Sequence, residues 1–180
     1  MVCDAPPAWL TLVINSGNDA LQFNFANTYS GGSTVSGGLV NFSALSNLGS
    51  GNVTLNGGGL QWATGTTTDV SSRLNALGAS GATFDTNGNN VTLASALTGA
   101  GALTKSGTGN LTLSGANTYN GDTTINGGIL SVNGSIASNV FVYSGGTLGG
   151  SGSIGGAVTV NSGGIIAPGN SPGILTVNSL

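Results

Sequence analysis

The chain has 180 residues, enough for one domain with a sizeable core, and Gly, Ser, Thr and Asn make up more than half of it. It carries two cations and five acids, all aspartate, for a net charge of −3, with no His and no Glu. That balance offers a phosphate backbone nothing, which excludes nucleic-acid binding, and the missing His removes Ser-His-Asp and Cys-His catalysis along with most catalytic zinc sites.

Residues 1–20, MVCDAPPAWLTLVINSGNDA, have no periodic partner further along and read as an irregular segment or cap. They contain no basic residue, and the apolar run Ala8–Ile14 is broken by Thr11, so they do not read as a signal peptide. No run in the chain reaches the length of a membrane-spanning helix. Cys3 is alone, so an internal disulfide is impossible.

From residue 21 onward the apolar residues recur as i, i+2 pairs: Val53/Leu55, Leu60/Trp62, Val91/Leu93, Leu111/Leu113, Leu130/Val132, Val140/Val142 and Val158/Val160. This is strand alternation, one face apolar and one polar. DVSSRLNAL at 69–77 is the one stretch that suits a helical turn, with Asp69 as its cap. Asn-Gly turn signals stand at 56–57, 87–88, 120–121, 126–127 and 133–134.

The glycine pairs 127–128, 145–146 and 163–164 are spaced by 18 residues, each followed in register by Leu130, Leu148 or Ile166. Earlier, Phe42 to Trp62 and Leu93 to Leu113 are each 20 residues. A fixed period near 18–20 with short strands describes a chain that coils, each strand lying on the one before. The fold class expected is all-β, a right-handed parallel β-helix. About nine coils would span roughly 40 Å. A hairpin-built β-sandwich is the competing architecture, but its strands recur at shorter and less regular spacing. In this frame Val142, Val160 and Val177 should stack in one column, and the tighter period after residue 109 should make 125–165 the best protected segment.

The sentence ANTYNGDTTINGGILSV (116–132) repeats ANTYSGGSTVSGGLVNF (26–42). With its flanks, GTGNLTLSGANTYNGDTTINGGILSVNGS (107–135) resembles the autotransporter passenger-associated β-strand repeat. The earlier copy, about 23–62, is similar in looser form, and the closing coils 136–178 end in APGNSPGILTV, similar to the family's terminal segment. The resemblance implies a surface-exposed or secreted passenger of a type V secretion system, partnered in the full-length protein by an outer-membrane β-barrel translocator. Host surfaces, glycans or self-association are its further implied partners. Asp122 stands where the first copy has Gly32, which suggests an ordinary turn there rather than one needing positive φ.

Chemistry is thinly represented. Asp69 and Asp85 are 16 residues apart, near one period, and form the best carboxylate pair for a glycosidase. Asp85, Asn87 and Asn89 match the first alternating positions of a calcium loop, but Gly88 is misplaced and Ala96 stands at the bidentate acid position. TGTTTD (64–69) has the Thr-x-Thr pattern of an ice-binding face, once only. Trp9, Trp62, Tyr29, Tyr119 and Tyr143 could stack on sugars, although the equivalent places of Tyr29 and Tyr119 favour wedging a corner. Arg73 and Lys105 read as solvated turn charges, and Pro168 and Pro172 as a rigid corner. No catalytic, metal or cofactor residue is expected. The function expected is a non-enzymatic stalk or adhesin-type passenger segment, with a glycan-binding or polysaccharide-cleaving β-helix as the alternative.

Overall fold

The computed structural model describes residues 12–169 and 173–180. In chain order its strands are β1 (Leu12–Phe23), β2 (Ser33–Phe42), β3 (Val53–Leu55), β4 (Gly59–Trp62), β5 (Ala82–Asp85), β6 (Asn90–Leu93), β7 (Leu103–Ser106), β8 (Asn110–Leu113) and β9 (Ala116–Asn117). They continue as β10 (Thr123–Ile125), β11 (Gly128–Val132), β12 (Ser135–Ile136), β13 (Val140–Val142), β14 (Gly146–Gly150), β15 (Ser153–Val160), β16 (Ile165–Pro168) and β17 (Thr176–Ser179). Every pairing is parallel, and each strand lies on its counterpart from the preceding coil. The molecule is an all-β parallel solenoid, and among the described residues helix is confined to two short 3-10 turns, Leu45–Leu48 and Ser71–Arg73.

Three strand columns run along the axis. The long one follows β1, β2, β4, β5, β7, β10, β13 and β15. The second stacks β6, β8, β11, β14 and β16, and the third stacks β9, β12, the start of β15, and β17. Strand alternation turns every second side chain inward, so the columns of strands become columns of apolar residues. Val40, Leu60, Phe84, Lys105, Ile125, Val142 and Val160 succeed one another along the first face. Val91, Leu111, Leu130, Leu148 and Ile166 do so along the second. Phe42, Trp62 and Phe84 fill the interior with tilted rings, centroids 5.3 and 6.1 Å apart. Where coils approach closely, glycine is required. A Cβ on Gly121, in the second ANTY copy, would run into the backbone of Ala102 one coil earlier.

Four expectations need correction. Strand β1 begins at Leu12, so the coil starts before the boundary read at residue 21, while residues 1–11, including Cys3 and Trp9, lie outside the described residues. The helical turn at 69–77 contracts to the 3-10 turn Ser71–Arg73, with Asp69 Oδ1 accepting from the Ser71 N–H at 2.8 Å. Val177 lies on Ile154 rather than on Val160. The strand after β14 returns to the third column, and the strand after β16 does the same, so β17 belongs one face away from where its spacing suggested. Val160 does follow Val142, but at the end of its column it is 39% exposed.

Candidate functional site

The repeated ANTY sentence builds a corner. Tyr119 is fully buried, and its hydroxyl lies 2.6 Å from Thr123 Oγ1. Tyr29 repeats the arrangement with Ser33 Oγ at 2.7 Å, again four residues on. Burial raises both phenols above the ordinary tyrosine value, while the hydroxyl partners pull back the other way. Asn117 ties three coils together. Its Nδ2 donates to the carbonyls of Gly115 and Ser135, both at 2.9 Å, and its Oδ1 accepts from the Leu97 N–H at 2.9 Å. Asn27 does part of this in the first copy, donating to the carbonyl of Asn47. Gly32 has φ +93°, whereas Asp122 keeps ordinary φ and accepts from Asn139 Nδ2 at 3.1 Å.

The two cations are not solvated turn charges. Lys105 follows Phe84 and precedes Ile125 in the first inward column and is fully buried. Its Nζ donates to the carbonyls of Ser106 (2.7 Å), Gly107 (2.7 Å) and Gly127 (3.1 Å). Three donors meet three acceptors, which is how a buried ammonium is tolerated. Burial still pulls its pKa down to about 8, with the Asp85 charge acting weakly in the opposite sense. Arg73 fans its guanidinium over the carbonyls of Leu45, Leu48 and Gly51, pinning the 3-10 turn of the previous coil. Both cations act as carbonyl clamps. The phase of the alternation carried the signal for Lys105, since Leu103 and Lys105 form an i, i+2 pair one period from Ile125.

The carboxylates stand apart and are each engaged. Asp85 lies in register between Gln61 and Ser106, taking Gln61 Nε2 at 2.8 Å and the Asn87 N–H at 2.8 Å. Asn41, Gln61 and Asp85 form a side-chain ladder over three coils. Asp69 instead accepts from the N–H groups of Ser71 and Ala94. The calcium-like loop is a tight turn. Asn87 and Gly88 both have positive φ, 47° and 84°, and the Asn89 N–H closes it on the Thr86 carbonyl at 2.8 Å. Asn89 spends its amide on the carbonyls of Ala63 and Thr86 and on the Gly65 N–H. Among the described residues, no group of three or more His, Cys, Asp or Glu side chains could hold a metal.

TGTTTD closes a turn through the Thr66 N–H and the Ala63 carbonyl, and the Thr68 carbonyl accepts from Trp62 Nε1 at 2.9 Å. The segment serves the buried Trp62 and forms no ranked Thr face. Tyr143 is 44% exposed, while Pro168 ends β16 and Pro172 lies outside the described residues. A groove of about 720 Å³ lies on the outer face of β8, β11 and β14, lined by Asn110, Thr112, Ile129, Ser131, Asn133 and Thr147 among others. Among the described residues of its lining there is no charged or aromatic side chain. Its amides and hydroxyls partly satisfy one another, as in Ser131 Oγ to Asn110 Oδ1 at 3.0 Å and Asn110 Nδ2 to Thr112 Oγ1 at 3.2 Å.

The family model for the passenger-associated-transport-repeat matches residues 16–41 and 103–132, the two segments that carry the ANTY corners. No curated protein and no solved structure matches the chain. Among the described residues, no helix is long and apolar enough to cross a membrane.

Proposed function

We propose that this chain, which carries two copies of the passenger-associated-transport-repeat, is a non-enzymatic stalk segment of an autotransporter passenger. The repeat itself suggests a passenger domain, and with it a cell-surface or secreted location and a translocator barrel in the full-length protein. The observation that carries the stalk reading is the continuous parallel stacking of the first column, eight strands from β1 to β15. At about 4.8 Å per strand this makes a rod of roughly 35 Å that lengthens by adding coils. The distinctive side chains are spent on the rod: Tyr119, Asn117, Lys105 and Arg73 each bond within or between coils. Display is the test. Fused behind an export signal and ahead of an outer-membrane barrel, the chain should become accessible to protease on intact cells. A fusion held inside the cell envelope would count against a passenger role.

Two further expectations separate stalk from enzyme. Asp85 lies in a side-chain ladder and Asp69 accepts from backbone N–H groups elsewhere, and neither lines the groove. The purified chain should therefore show no turnover on a panel of polysaccharides. Turnover that disappears in Asp69→Ala or Asp85→Ala would overturn this. The neutral, hydroxyl-lined groove favours glycan binding as the second reading. An array of uncharged glycans tests it, with Ile129→Lys as the blocking variant.

A further inference from the structure

We propose that Asn126–Gly127 is a spontaneous modification site, the one Asn-Gly pair of five that the fold leaves open to succinimide formation. The Gly127 peptide nitrogen, on losing its proton, attacks Cγ of Asn126. A ring N–C bond forms, the Cγ–NH2 bond breaks, and ammonia leaves with the proton. Water then opens the ring at either carbonyl to give aspartyl or isoaspartyl. The net reaction exchanges an amide for an acid at the expense of one water.

Attack requires that the glycine N–H be free and that the asparagine side chain be able to swing. The fold denies the first condition at four of the pairs. The Gly57 N–H donates to the Gly81 carbonyl at 2.7 Å, Gly88 to Thr108 at 2.8 Å, Gly121 to Gly101 at 3.2 Å, and Gly134 to Leu113 at 3.0 Å. It denies the second at three of those four. Asn56 Oδ1 accepts from the Ser80 N–H, Asn87 Nδ2 donates to the Trp62 carbonyl, and Asn133 Oδ1 accepts from the Ser151 N–H. Only at the fifth pair do both conditions hold among the described residues. The Gly127 N–H donates to no partner, and the exposed Asn126 side chain makes no hydrogen bond. Lys105 Nζ, 3.1 Å from the Gly127 carbonyl, places a cation against the same residue and favours the deprotonated nitrogen. The isoaspartyl product would lengthen the backbone by one methylene next to the carbonyl that holds Lys105.

The test incubates the folded chain in neutral buffer, where Lys105 keeps its charge, and maps deamidation by peptide mass spectrometry at all five asparagines. Asn126 should lead the others by about tenfold or more, equivalent to about 1.4 kcal/mol of barrier, the scale of one backbone hydrogen bond. In urea the five should converge, because the dipeptide is the same in each. Gly127→Ala should slow the reaction at Asn126. Position 127 lacks a positive φ, and the nearest atom to an added Cβ is the Gly107 carbonyl oxygen at 3.4 Å, so the variant is compatible with the fold. If Asn126 is no faster than the other four in the folded chain, or keeps its full lead in urea, the proposal fails without reference to the variant.

Discussion

A single lysine sets much of this molecule's expected response to pH. Lys105 titrates near pH 8 in the folded chain, against 10.5 for an unburied lysine. Between those values the unfolded chain holds more protons than the folded one, so stability rises with pH across the window. Tyr29 and Tyr119 work in the other direction. Their pKa values are raised by burial, so above the ordinary value of 10.0 the unfolded chain loses protons that the folded chain keeps, and stability falls. Urea unfolding followed from pH 7 to pH 11 should therefore show a maximum near pH 10. Lys105→Met should flatten the rise between pH 8 and 10, and an unchanged rise would mean that the ammonium is not its source. The tyrosine corners were legible in the sequence because the repeat places Tyr29 and Tyr119 at equivalent positions. Lys105 was misread because residue type was allowed to outrank alternation. A charge between two inward apolar neighbours, one coil on either side, is inward too, and the carbonyls of a glycine-rich corner can receive it.

At the level of the element, the glycine ruler read the second column correctly. Leu130, Leu148 and Ile166 lie in one register, with Gly128 opposite Gly146. Leu148 is fully buried between its two neighbours. Leu148→Ala should cost about 2–5 kcal/mol, the range for a leucine removed from a packed core. Chemical denaturation checks this, and a loss below about 1 kcal/mol would mean that the coils collapse to fill the space. The same ruler misplaced Val177 because equal spacing says nothing about which of three faces a strand occupies. Strand β17 follows β16 on the path that β15 takes after β14, so it lands on Ile154. Period was visible in the sequence; face order was not, because inward valines look alike on every face. The turn at 85–90 was legible as Asn-Gly chemistry, and the positive φ at Asn87 and Gly88 follows directly from it.

Over the whole molecule, stability should be greatest in the middle coils and decay toward both ends. In a solenoid each coil contacts only its neighbours, so an interior coil is held from two sides and a terminal coil from one. The burial pattern follows this rule. From Val35 to Leu148 the inward residues of the first two columns are almost wholly excluded from solvent. At the ends the columns open: Leu21, which lies on Val40, is 41% exposed, and at the other end Val160 is 39% exposed and Ile166 only partly buried. This moves the most protected region earlier than the spacing of glycine pairs suggests, since the regular period persists through residue 166 while the burial that protects amides does not. Hydrogen exchange should thus be slowest in β4, β5, β7, β10 and β13, faster in β2 and β15, and fastest in β1, β16 and β17. The order should also hold under mild denaturant, with the terminal strands lost before the centre. Protection in β16 equal to that in β7 would require a partner on the last coil, and uniform exchange along the rod would mean that the coils unfold as a single unit rather than from their ends.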